Sequence, residues 1–106
     1  MHNTNKLHVL DNCLRLCART YELTGVFPPS ERCGLTDQMR RASVSIGSNI
    51  AEGGGRFTNA QFVQSLSVAH GSASELDFQA RVAVELSFMA ARTPPTCAIR
   101  SRRPNE

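Results

Sequence analysis

The sequence predicts an all-α protein, an antiparallel up-and-down bundle with three clear helices. Two observations carry that prediction. Apolar residues return at three- and four-residue steps through three long stretches, which lays each set along one side of a 3.6-residue helix. Glycine, proline and threonine then punctuate the stretches, and no alternating strand pattern competes with them.

The first helix runs from about Lys6 to Thr24, with Leu7, Leu10, Leu14, Cys17 and Tyr21 as its expected buried stripe and Gly25 as its stop. Cys13 falls on a flanking apolar strip with Val9 and Leu16. Phe27-Pro28-Pro29 breaks the chain, since proline lacks the amide that a helix interior needs.

Gly34 to Arg56 reads as one capped helix whose two sides differ. Leu35, Met39, Ala42, Ile46 and Ile50 form a core stripe, with Thr36 as the expected N-cap. Gln38, Arg41, Ser45, Asn49 and Glu52 form a polar stripe beside it, able to hydrogen-bond across a helix interface. Arg41 is expected to pair with Glu75 or Glu52, while the adjacent Arg40 points elsewhere and is expected to be exposed. Gly53, Gly54 and Gly55 close the helix, with residues able to turn at positive φ.

The third helix opens on a capping box, Thr58-Asn59-Ala60-Gln61, and carries Phe62, Leu66, Ala69, Ala73, Leu76, Ala80 and Ala83. Small residues at these positions let neighbouring helices approach closely. A second strip, Phe78, Val82, Leu86 and Met89, needs a cover of its own. Ser72 and Glu75 are expected to meet the polar stripe of the second helix, because buried polar groups require partners.

The 106 residues, 41% of them hydrophobic, suffice for one bundle domain over residues 1–87, followed by an irregular basic tail over 88–106. The formal charge of +3 belongs to that tail alone. Up to Ser87 eight basic residues balance eight acidic ones, whereas Arg92, Arg100, Arg102 and Arg103 face only Glu106 beyond it. Whole-chain basicity is therefore no argument that the bundle binds nucleic acid. No apolar run approaches a membrane span, and the N-terminus lacks signal-peptide architecture, so a cytoplasmic location is expected. Reduced thiols are expected for Cys13, Cys17, Cys33 and Cys97, which include no Cys-x-x-Cys pair.

Ser45, Glu52, His70 and Glu75 include hydrolase and nuclease residue types, yet no nucleophile elbow, metal-binding helix motif or phosphate loop frames them. No catalytic residue is assigned. His8, Cys13 and Cys17 lie within a few turns of one another but read as ordinary helix residues, so neither a metal nor a cofactor nor a small-molecule substrate is expected. The run Gly53-Gly54-Gly55-Arg56, leading into a helix N-terminus and accompanied by Arg40, is the one stretch that offers an RNA backbone free amides and charge. A plain helix connection is the simpler reading.

The same residues carry a family resemblance. FPPSERCGL (residues 27–35), Gln38, Arg40-Arg41-Ala42, SIGSNIAEG (45–53) and Arg56 are followed in order by Phe62, Leu66, AHGS (69–72), Glu75 and Leu76. This pattern resembles the bacterial four-helix-bundle proteins encoded by intervening sequences within 23S ribosomal RNA genes. It covers roughly Leu7 to Leu86, with Gly47 standing where the family often has proline. The resemblance implies a non-enzymatic bundle with an RNA or protein interaction role, assembling with itself, into a pentameric ring as family members do. A related bundle, the accessory subunit of diversity-generating retroelements that binds a reverse transcriptase and its RNA, is the alternative; the neutral body argues against it. Where the family continues into a fourth helix, Thr93-Pro94-Pro95 stops any helical period here. A shifted reading frame, a truncated product and a genuine basic tail are the readings of that change.

Overall fold

The computed structural model describes the backbone of residues 3–55 and 58–90, and the side chains from Leu7 onward within that span. It is all-helical: α1 (Asn3–Thr24), a 3₁₀ turn (Pro29–Glu31), α2 (Leu35–Gly53) and α3 (Asn59–Glu85), with no strand among the described residues. α2 is central. Both α1 and α3 pack on it, and no Cα of α1 comes within 8 Å of a Cα of α3.

The seam of each helix repeats every seven residues, the spacing that holds a contact stripe along antiparallel bundle partners. On α2, Met39, Ala42 and Ile46 are buried with Leu35 and Ile50 packed beside them, as the periodicity predicts. Each such Met or Ile contributes about 1.5–3 kcal/mol by burial. On α3 the buried set is Ser65, Ala69, Ser72, Leu76, Gln79 and Ala83. Two of the residues expected there, Phe62 and Leu66, remain about 40% exposed, and Ala73 is exposed as well.

α1 departs further from expectation. Leu7 and Leu14 are 63% and 67% exposed, and Tyr21 is exposed too. The face turned to α2 is instead Cys13, Thr20 and Thr24, with Leu10 and Cys17 half-buried. Two threonines are tolerated because each hydroxyl donates one turn back, Thr20 Oγ1 to Leu16 O at 2.8 Å and Thr24 Oγ1 to Thr20 O at 2.7 Å. Cys17 Sγ donates to Ser43 O at 3.2 Å, tying the helices together. Opposite Cys13 stands Gly47, where an added Cβ would lie only 3.0 Å from the Cys13 Cβ.

The helix ends are also specific. Thr36 is buried inside α2 and caps nothing; the N-cap residue is Gly34, and the Leu35 amide donates to Glu31 Oε1 at 2.9 Å. A carboxylate there also complements the helix dipole. At α3 the expected cap forms, with the Gln61 amide donating to Thr58 Oγ1 at 3.1 Å. The C-terminus of α3 is a Schellman turn. Phe88 N donates to Ala83 O, Ser87 N donates to Val84 O, and Ser87 takes a left-handed φ of 66°. That turn ends the helix before Met89, so Phe78, Val82, Leu86 and Met89 do not share one helical strip as expected. Phe78 and Leu86 stay exposed, while Phe88 and Met89 fold back onto the core and the Phe88 ring packs at a tilt against Phe27, centroids 5.4 Å apart.

Candidate interaction surfaces

The polar stripe of α2 lies along the outer edge of its contact with α3. Ser45 Oγ and Ser72 Oγ share a hydrogen bond of 2.9 Å across the helices, which is the meeting expected from the sequence. Asn49 braces it from one turn away, its Nδ2 donating to Ser45 O at 2.8 Å and to Ser45 Oγ at 3.2 Å. Two shallow grooves flank this link. Gln38, Arg41, Ala42, Ser45, Ser72 and Glu75 line one. The other is lined by Asn49 and Glu52 from α2 and by Gln61, Gln64, Ser65 and Val68 from α3.

The charges on this edge pair locally. Arg41 Nε meets Asp37 Oδ2 at 3.2 Å, one turn back on its own helix, rather than Glu75 or Glu52, and both members are largely exposed. Glu75 Oε2 accepts instead from Gln79 Nε2 at 3.3 Å. Gln79 is a residue the sequence reading missed; it is buried, and its Oε1 has no hydrogen-bond partner among the described residues. The available signal was the seven-residue repeat Ser65, Ser72, Gln79, which puts one polar side chain in each repeat of the seam.

Arg40 is not the exposed residue that adjacency to Arg41 suggested. Its guanidinium reaches back to the end of α1, where Nε donates to Thr24 Oγ1 at 2.8 Å and Nη2 to Tyr21 O at 3.2 Å. The same group lies 4.4 Å above the Tyr21 ring. A cation placed on the last carbonyls of a helix is favoured by the helix dipole, so Arg40 acts as a C-cap supplied by the neighbouring helix. That engagement removes it from the free charges an RNA backbone would meet.

The glycine run is equally committed. No described glycine has positive φ; Gly54 continues the helical conformation, its amide donating to Ile50 O at 3.2 Å, and Gly55 N donates to Glu52 O at 3.1 Å. These amides complete α2 rather than point at an anion. Gly53 is needed for space, since a Cβ there would stand 3.1 Å from the Ser65 Cβ and 3.4 Å from the Phe62 ring. Arg56 lies outside the described residues.

Several large apolar side chains are exposed as well. Leu7 and Leu14 share a flank of α1 with Tyr21, Val9 and Leu16 emerge on the opposite flank, and Phe62, Leu66, Phe78 and Leu86 protrude from α3. Within the core, burial pushes the Cys13 thiol above its ordinary value, with Cys17 adding to the effect. The model of one protein family, described as 23S rRNA-intervening sequence protein, matches residues 5–94. No curated protein shows significant similarity to the chain.

Proposed function

The chain belongs to the 23S rRNA-intervening sequence protein family, and from that membership and its uncovered apolar side chains we propose a non-enzymatic helical-bundle subunit that assembles with copies of itself. The observation that carries the proposal is the set of large apolar side chains left in solvent on both flanks of α1 and on α3. Leu7, Leu14 and Tyr21, at seven-residue steps on one flank of α1, are the set that supports an interaction face. No described helix is long and apolar enough to cross a membrane, so a bilayer-spanning role does not account for it.

The polar edge between α2 and α3 is a structural feature on this reading. Ser45, Ser72 and Asn49 satisfy one another, Arg41 is held by Asp37, and Glu75 by Gln79. A pentameric ring, as the family resemblance implies, uses the apolar flanks rather than this edge. RNA is a secondary partner, met mainly by the arginines beyond Phe88.

The test is a pair of substitutions read by light scattering and circular dichroism. Leu14→Glu, on the exposed flank of α1, is expected to lower the assembled mass while leaving helicity intact. Asn49→Leu is expected to change solubility or assembly without changing RNA binding. If Asn49→Leu keeps its mass and thermal stability but loses RNA affinity, the polar edge is a recognition surface and the proposal is wrong.

A further inference from the structure

Cys13 and Cys17 each read as an ordinary helix residue when taken alone, but the structure turns them to one spot. One turn apart on α1, their Cβ atoms stand about 5–6 Å from each other. Both sulfurs then meet the same turn of α2. Cys17 Sγ lies 3.2 Å from Ser43 O, and Cys13 Sγ lies 3.8 Å from the place that a Cβ would take on Gly47. Ser43 and Gly47 are four residues apart, so the Ser43 carbonyl is aimed along the helix at the Gly47 amide and belongs to the turn that both sulfurs cover. The Ser43 hydroxyl is turned elsewhere, donating to Arg40 O at 2.8 Å. Ser43 and Gly47 therefore offer this spot one carbonyl oxygen and no side chain.

Two thiols beside a carbonyl in a helix seam select one kind of ligand. Zinc takes four protein ligands in a structural site, and among the described residues no three side chains of His, Cys, Asp or Glu come together to supply them. A soft ion that accepts two thiolates in line needs no further side chain. Metal–sulfur bonds of about 2.3 Å hold such a pair of sulfurs about 4.6 Å apart, a span that Cβ atoms one turn apart allow. Charge narrows the choice further. Cys13 is buried, and an uncompensated charge beside it is costly. A divalent ion cancels the charge of two thiolates, whereas a monovalent one leaves the seam negative.

We propose that Cys13 and Cys17 form a dithiol site for a soft divalent ion of linear coordination, mercury(II) being the simplest case, with the Ser43 carbonyl as a weak third donor. Binding forms two metal–sulfur bonds and releases the two thiol protons to solvent, with no change of oxidation state. The Cys17 hydrogen bond to Ser43 O is exchanged for a contact between the ion and the same oxygen, so α1 stays docked on α2. Cys17, half-buried, is the point of entry. The site lies inside one chain, away from the Leu7, Leu14 and Tyr21 flank, and does not depend on the assembly proposed above.

The test uses the full chain with Cys33→Ser and Cys97→Ser, titrated with mercuric chloride against an excess of a competing monothiol. One ion per chain is expected, with both remaining thiols lost to a thiol reagent and the melting midpoint raised, because the ion binds the folded seam. Cys13→Ala and Cys17→Ala are each expected to weaken binding at least about a hundredfold, since two linked thiols act at high effective concentration. X-ray absorption at the mercury edge reads the chain without any core substitution, and two sulfurs per ion are expected. Separate ions on the two thiols, one sulfur per ion, or single variants that bind as tightly as the pair overturn the proposal. So does an ion that joins two chains in denaturing mass spectrometry. A lowered melting midpoint overturns it too, because α1 must then leave α2 for the ion to bind.

Discussion

Arg40 and Arg41 are neighbours in sequence and opposites in structure. Arg40 is half-buried on Thr24, the Tyr21 carbonyl and the Tyr21 ring, whereas the Arg41 side chain is 76% exposed beside Asp37. Arg40→Ala is expected to cost about 1–2 kcal/mol in a urea titration, because hydrogen bonds from a charged group and a stacked ring are lost together. Arg41→Ala is expected to change stability by less than about 0.5 kcal/mol, as exposed pairs do. Equal losses at the two sites would contradict the capping role. The helical wheel separates the two arginines but does not say which of them finds a helix end, since that depends on where α1 stops.

Ser87 and Cys13 make predictions of the same scale. A serine in the left-handed C′ position is strained where glycine is not, so Ser87→Gly is expected to raise the urea midpoint by up to about 1 kcal/mol in stability. A lowered midpoint would show that the Schellman turn does not end α3. The buried Cys13 is favoured as the neutral thiol, so its contribution is complete below the pKa of an unfolded thiol and is lost as pH rises through the raised folded value. Thiol labelling of the native protein should therefore modify the exposed Cys33 first and Cys13 last, with Cys13 reacting at the unfolding rate. Rapid labelling of Cys13 would contradict its burial.

At the scale of elements, the positions of all three helices were legible, because each rests on a long periodic stretch; the end of α3 was not, since its expected strip runs on to Met89 while the helix stops at Glu85. α1 stops at Thr24 and α3 caps on Thr58 as the sequence predicts. Which face each helix buries was legible for α2 and in part for α3, where Ala69, Leu76 and Ala83 are buried as expected. The α2 core stripe is conventionally apolar, whereas α1 buries threonines that satisfy themselves and α3 buries Ser65, Ser72 and Gln79. An apolar-periodicity argument is blind to such seams, and the apolar strips it finds on α1 and α3 are partly interaction surface instead. Two glycines give an element-level check. Gly71→Ala, within α3 and with open space around its Cβ, is expected to stabilise by about 0.5–1 kcal/mol. Gly53→Ala is expected to destabilise, because its Cβ would press on Ser65 and Phe62 across the interface. Thermal melts of the two variants moving the same way would contradict the close approach of α2 and α3.

For the whole molecule, charge and apolar surface point to different partners. The neutral stretch up to Ser87 gives RNA little to hold, and four tail arginines predict a slope of log affinity against log salt of roughly −3. Truncation after Phe88 should flatten that slope towards zero in an anisotropy titration. Tight binding by the truncated chain would bring the residues around Gly53 to Arg56 forward as the site. The candidate polar residues were legible as a stripe, and Ser45 and Ser72 meet as expected, but the partners of Arg40, Arg41 and Gln79 depend on tertiary positions that no spacing encodes.

The central claim, that the exposed apolar side chains are an assembly surface, is tested most directly by the mass of the intact chain in solution. Static light scattering at micromolar concentration is expected to give a multiple of 11.6 kDa. A stable, monodisperse species at the monomer mass would contradict it.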